Sequence, residues 1–144
     1  MKKLFIFILL AFTATANAQF SKMLGYWNTF DDKTGDMASC VQITEKDGVY
    51  SCIVMNLYEK KPDGTYEVMN PPYPKGYENV VGSQLFIEMK EQKGHLKGKV
   101  YDPESKKTYF GKVTYEAKSD ELVLRGSLDK AGILGRSQTW KRKK

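Results

Sequence analysis

The chain has 144 residues, 41% of them hydrophobic, and a formal net charge of +6, enough for one packed core and too little for two. Of its 23 basic residues, Lys2 and Lys3 stand at the start and Lys141, Arg142, Lys143 and Lys144 at the end, so the body between them balances its bases against the 17 acids. A balanced body has no basic face to follow a phosphate backbone, and nucleic-acid binding is disfavoured.

In chain order, Lys2 and Lys3 precede an apolar run from Leu4 to Phe12, the small residues Thr13 to Thr15, and Ala16-Asn17-Ala18. Positive end, short apolar middle and A-x-A site make residues 1-18 a cleaved secretory signal peptide. The run is about half of the ~20 residues a spanning helix needs, so no spanning membrane segment is expected in the mature chain. Gln19 and not Cys follows the site, which closes the acylated-lipoprotein route. A single domain over residues 19-144, periplasmic or secreted, is the expectation.

Beyond the signal, alternation of period two and turn residues recur to the end, with no helical stripe longer than two turns. Strands are expected at about 24-30, 38-45, 49-58, 65-69, 82-91, 95-102, 107-117, 121-128 and 134-142. Turn chemistry separates them, as at Lys33-Thr34-Gly35, Asp47-Gly48, Pro62-Asp63-Gly64, Lys93-Gly94 and Ser119-Asp120. Eight or nine antiparallel strands imply an all-β meander closed into a small barrel, because closure removes open edges; a β-sandwich is the alternative. Asn70 to Tyr77 holds three prolines, which cannot donate to a central ladder, and is a loop. It is either a connector or a functional rim.

A three-residue loop at Lys46-Asp47-Gly48 would pair Glu45 with Val49 and put Val41, Ile43, Val49, Ile53, Met55 and Leu57 inside. Cys40 and Cys52 would then share the outer face as diagonal neighbours, ~7–8 Å apart, while a shift of two pairs them directly. An oxidising compartment favours a disulfide and this register opposes it, so both states of the pair stay open. Further along, Leu85, Ile87, Met89, then Leu96, Gly98, Val100, then Tyr109, Gly111, Val113, Tyr115, then Leu122, Leu124, Gly126 and Leu128 are expected to face in.

Catalytic apparatus is scarce. The single histidine, His95, sits beside Gly94 at a hairpin tip, and one His with two Cys on adjacent strands has no zinc-ligand spacing. Asp31-Asp32 with Gly35 and Asp36 lacks the alternating spacing of a calcium loop and reads as a hydrogen-bonded turn. No metal and no cofactor is expected. Trp27 opens the first strand and Trp140 closes the last, so a meander barrel brings these ends together, with Arg125 or Arg136 near an indole as a barrel-end plug.

Gly25-Tyr26-Trp27, Asp31 to Gly35, Gly98 to Pro103 with Lys107-Thr108-Tyr109, Leu124-Arg125-Gly126, and Leu134 to Trp140 together resemble the exported bacterial family known as domain of unknown function 2147. The likeness spans nearly the whole mature chain. It implies a lipocalin-like, calycin-type barrel, in which G-x-W on the first strand with a late arginine is similar to the lipocalin end-plug. It implies no established activity. Many members look to carry a Cys-x-x-Cys segment after the second hairpin; this chain has no cysteine from Glu59 to Tyr77, so a redox or metal role tied to that pair does not carry over.

The leading functional expectation is a small binding protein whose interior, lined by Ile53, Met55, Leu85, Ile87, Tyr109, Val113, Tyr115 and Leu124, receives an apolar or amphipathic small molecule, with Tyr66, Tyr73 and Tyr77 gating the mouth. The alternative is a ligand-free envelope interaction module with a filled core, touching protein, peptidoglycan or a membrane surface through its outer face or basic tail. An enzyme is the least favoured class and would need Tyr101, Asp102 and Arg125 to converge.

Overall fold

The computed structural model describes residues 18–144. The signal-peptide reading of residues 1–18 lies, but for Ala18, outside the described residues. A helical turn at 18–21 leads into nine strands: β1 (Gly25–Phe30), β2 (Met37–Lys46), β3 (Val49–Lys60), β4 (Tyr66–Val68), β5 (Phe86–Gln92), β6 (His95–Asp102), β7 (Lys107–Glu116), β8 (Glu121–Ser127) and β9 (Gly135–Arg142). Their hydrogen-bonded order is β2-β1-β9-β8-β7-β6-β5-β3-β4, and the further pairing of β2 with β3 closes eight antiparallel strands into a barrel. Strand β4 is a short flap on the end of β3. First and last strands meet, Trp27 opposite Arg142 and Asn28 opposite Lys141.

Closure is thin at two seams, β1–β9 and β3–β5, and at the latter only Val49–Lys90 and Tyr50–Met89 pair as strands. The Gln84 side chain completes this second seam by accepting from the Cys52 amide at 2.6 Å, while the Leu85 amide donates to the Cys52 carbonyl at 2.6 Å. An amide side chain here does what a strand backbone does elsewhere, so few donors are left without partners.

Two local devices decide which residues face in. The β2–β3 turn is a two-residue Asp47-Gly48 turn pairing Lys46 with Val49, with φ of 52° and 81°, the left-handed pair that Asp-Gly favours. One residue fewer in the loop than the sequence reading assumed inverts β3, because a shift of one moves every side chain to the other face. Tyr50, Cys52 and Val54 are therefore buried, and Ile53 and Met55, expected inside, are each 38% exposed. Met55 is the unpaired extra residue of a bulge, since Val41 faces Val54 and Cys40 faces Asn56, and beyond it Leu57 turns inward.

The second device is the β5 bulge. Phe86 pairs with the buried Val100, so Ile87 points outward at 38% exposure instead of inward. Glu88 and Met89 together then oppose Gly98, which returns Met89 to the core. A Cβ on Gly98 would lie 2.6 Å from the Glu88 carbonyl oxygen and 2.7 Å from that of Ile87, so the bulge needs glycine there.

The interior is filled along its lower half. Trp27, Met23, Ile43, Met89, Leu96, Leu122, Val41 and Val113 are all at most 1% exposed, and Trp140 stacks on Phe86 with ring centroids 6.4 Å apart and planes 6° from parallel. Phe20 and Met23, from the segment before β1, are buried with them and cork the lower end. Burying a large apolar side chain contributes about 1.5–3 kcal/mol, so these two residues make the N-terminal segment part of the barrel.

Candidate functional site

The two ends of the barrel differ. At the lower end Arg142 lies over the Trp27 ring, 4.3 Å from its centroid. Its Nε and Nη2 donate to the two carboxylate oxygens of Asp120 at 2.7 and 3.0 Å, and Nη1 and Nη2 donate to the carbonyls of Leu24 at 3.3 Å and Lys22 at 2.5 Å. The Trp27 Nε1 donates to the Met23 carbonyl at 2.9 Å. The planar fork of arginine suits this combination of stacking and bidentate pairing, and it ties β1, β9, the β7–β8 turn and the N-terminal segment together. Hydrogen bonding from Arg142 holds the Asp120 carboxyl below its ordinary pKa.

The upper end is a mouth. Following the inward-facing row of β8 upward, Leu122 is fully buried, then Leu124 and Gly126 are partly open; on β9 Trp140 is buried, Gln138 is partly open and Arg136 is exposed. All of these residues point into the barrel, as their pairing with Tyr115, Val113 and Gly111 requires. The gradient leaves the upper end of the β7–β9 wall open to solvent, and this open end, with Trp140 stacked on Phe86 below it and Tyr109 beside Gly126, is termed the vestibule.

A chain of polar contacts runs up the vestibule. Trp140 Nε1 donates to Gln138 Oε1 at 3.3 Å, Gln138 Nε2 donates to Asp32 Oδ2 at 3.1 Å, and Arg136 Nη1 stands 3.6 Å from the same Asp32 oxygen. The opposite wall is the Pro-rich loop. Met69, Tyr73 and Tyr77 pack on the core, and the Tyr77 hydroxyl reaches across to Glu104 at 3.2 Å. The Glu104 charge raises the Tyr77 pKa, so the phenol stays protonated and donating.

At the lower end a second concavity, an open cleft of about 240 Å³, lies between Phe20, Ser21, Leu24, Glu45, Tyr50 and Glu91. Its polar groups are already engaged: Glu45 accepts from the Gly48 amide at 2.6 Å, and Glu91 accepts from the Tyr50 hydroxyl at 3.0 Å. Of the barrel strands' inward-facing core residues only Tyr50 lines it, whereas the upper end has the inward-facing side chains of β8 and β9 open to solvent, so the vestibule is the better candidate site.

Residues 25–142 match the family described as "Uncharacterized protein conserved in bacteria (DUF2147)". The chain belongs to this family. The match begins at Gly25, which opens the strand bearing Trp27, and ends at Arg142, which covers it. No curated protein matches. Among solved structures, the chain is similar to a Helicobacter pylori protein, HP1028, described as belonging to the lipocalin family, with a TM-score of 0.61 and 21% identity over 84% of this chain and 82% of that one. At this identity the likeness shows the fold, a lipocalin-like barrel.

In this DUF2147 member the sequence-derived site residues separate into three groups. Leu85, Tyr109 and Leu124 are partly buried and packed against the core. Val113 is wholly inside the packed half, and Tyr115 is spent at the lower end, its hydroxyl donating to Asp120 at 2.9 Å. Ile53, Met55 and Ile87 are on the outer wall and line no interior.

The plug arginine is Arg142, in place of the expected Arg125 or Arg136. Arg125 flanks the inward Gly126 and so points outward, and Arg136 faces in but at the mouth, far along β9 from Trp27. Trp27 does close the lower end, whereas Trp140 lies in mid-barrel as the vestibule floor. Arg142, grouped in the sequence with the basic tail, is part of the fold: β9 runs through it, and the Lys143 amide still donates to the Tyr26 carbonyl at 3.0 Å.

Cys40 and Cys52 are both free and buried. Cys52 sits opposite Ile43 on the inner face, and Cys40 sits opposite Asn28 and Asn56 on the outer one. With their rows three positions apart along β2, their Cα atoms are on the order of 10 Å apart, beyond the reach of a disulfide. Burial raises both thiol pKa values, which makes them poor nucleophiles.

Tyr66 serves the flap, its hydroxyl donating at 3.3 Å to Asp36, which also holds Lys60 at 2.9 Å. Asp102 accepts from the Glu104 amide and the Ser105 hydroxyl of its own turn. Arg125 is committed to the β8–β9 loop, so it, Tyr101 and Asp102 form no shared constellation. His95 shares a hydrogen bond with Thr114 at 3.1 Å. Among the described residues, no group of His, Cys, Asp and Glu is placed to hold a metal, and no helix is long and apolar enough to cross a membrane.

Proposed function

We propose that this protein is an exported binding barrel that takes one small amphipathic molecule into the vestibule above Trp140, with the apolar end against Leu124 and Tyr109 and the polar end at Gln138 and Arg136. The supporting observation is the burial gradient on β8 and β9, where inward-facing side chains stay open to solvent above a packed floor. Lipocalin-like barrels offer such mouths for ligands. The filled lower half limits the occupant to the upper half, and the Pro-rich loop bearing Tyr73 and Tyr77 is its lid.

Gly126 supplies the test. A Cβ there would meet only a Val100 methyl at 3.7 Å and the Tyr109 Cβ at 3.8 Å, ordinary contacts that a folded variant tolerates. Titration of the mature protein with anilinonaphthalene sulfonate or dodecanoate is expected to saturate, and Gly126→Leu, which fills the vestibule, to weaken binding about tenfold or more at unchanged thermal midpoint. Absence of saturable binding by the unaltered protein, or equal binding by Gly126→Leu, overturns the reading.

A further inference from the structure

The loop between β8 and β9 is held firmly and yet presents its largest apolar side chains to water. Leu128 is 71% exposed, Ile133 76% and Leu134 64%. The backbone beneath them is fixed from below. Arg125 Nε donates to the Gly132 carbonyl at 2.6 Å and Nη2 to that of Ile133 at 3.1 Å. Asp129 accepts from the amides of Ile133 and Leu134 at 3.0 and 2.7 Å, and the Leu128 amide donates to the Leu134 carbonyl at 2.9 Å. A loop that only connected two strands would need neither this bracing nor three exposed aliphatic residues in seven positions.

We infer that the β8–β9 loop is a membrane-docking tip that inserts Leu128, Ile133 and Leu134 into the interfacial region of an anionic lipid bilayer. Charge favours that occupant. From Ser127 to Arg136 the one acid is Asp129, and its carboxylate is turned inward onto two amides and held below its ordinary pKa by them. Lys130 flanks the aliphatic residues, and Arg136 stands behind them with its side chain 80% exposed and a 3.6 Å contact to Asp32. Aliphatic side chains at a tip with cations behind them match the order of acyl chains and anionic headgroups met on entering a leaflet.

Shape separates a bilayer from a protein partner. One convex loop falls far short of the roughly 800 Å² per partner that a stable protein interface buries, whereas a bilayer accepts a small convex tip without complementary form. Because the loop stands at the mouth, docking turns the vestibule toward the lipid. The inference does not depend on the vestibule holding a ligand.

The experiment is co-sedimentation of the mature protein with vesicles of phosphatidylcholine alone or with about a quarter phosphatidylglycerol. Binding is expected only to the anionic vesicles and to fall with salt. Ile133→Asp with Leu134→Asp should lower the partition coefficient about tenfold or more at unchanged thermal midpoint, since both side chains leave the bracing untouched. Ile133→Trp should show a blue-shifted indole emission on anionic vesicles. Failure of the unaltered protein to sediment with anionic vesicles, or equal binding by the double variant, overturns the inference. So does a dimer in solution that Ile133→Asp dissociates, because that result gives the tip to a second copy of the chain.

Discussion

The Arg142 guanidinium lies over the Trp27 indole, 4.3 Å from its ring centroid, bringing together the last residue of β9 and the third residue of β1. The contact closes the barrel in sequence as well as in space. Cation–π attraction contributes about 0.5–2 kcal/mol and a charge-assisted hydrogen bond about 1.5–3. Arg142→Ala is therefore expected to destabilise the fold by about 2–4 kcal/mol in urea titration. Arg142→Lys should recover less than half, because an ammonium cannot stack and fork together. A loss below about 0.5 kcal/mol would show that the plug is dispensable.

Acid sensitivity follows from the same pair. The folded pKa of Asp120 is depressed, first by hydrogen bonding from Arg142, and those of Asp31 and Asp129 are depressed by backbone amides. A depressed folded pKa gives stability that is full above the unfolded value of about 3.9 and is lost as pH falls through the folded one. The urea midpoint should thus drop as pH is lowered below about 4, and Asp120→Asn should flatten that drop. An unchanged slope in the variant would separate Asp120 from the acid transition.

His95 acts in the same direction at higher pH. Burial, then Lys112 and Lys97, lower its folded pKa, so its contribution is complete above the unfolded value of about 6.5 and declines below it. His95→Gln should remove the change in stability just below about pH 6.5, read as chemical midpoints across that range; an identical profile would contradict the assignment.

Strand positions were legible in the sequence because alternation and turn residues act locally: all nine expected strands are present, and the meander closes as the Trp27 and Trp140 ends implied. Facing was less legible. The Asp47-Gly48 turn and the bulges at Met55 and at Glu88–Met89 each shift parity by one residue, and that alone moved Ile53, Met55 and Ile87 from the expected cavity to the outer wall. Asp-Gly is itself the sign of a two-residue turn and could have fixed β3 correctly. Nothing local marks Gln138 or Arg142 as site residues; their roles depend on partners more than a hundred positions away in the chain, Asp32 for one and Leu24 for the other.

The cysteine geometry makes a further prediction. Both thiols should resist dithionitrobenzoate in the native protein and both should react after denaturation without reductant, since one faces in and the other out. Recovery of no thiol from the denatured chain would require the pair to be joined and β2–β3 to be rearranged.

Two glycines on the inner face should respond oppositely. Gly98→Ala forces its Cβ into the bulge carbonyls at 2.6 and 2.7 Å and should cost about 2–3 kcal/mol, whereas Gly126→Ala meets nothing closer than 3.7 Å and should change stability by no more than about 0.5. Equal effects would mean that the β5 bulge yields and that the Gly98 contact does not fix it.

Amide NMR titration of residues 19–144 with dodecanoate tests the vestibule most directly. Saturating shifts are expected at Tyr109, Leu124, Gly126 and Gln138, with Leu96 and Val113 in the packed half unmoved. Shifts confined to Ile53, Met55 and Ile87 on the outer wall, or none at all up to millimolar ligand, would contradict a binding barrel that works through its mouth.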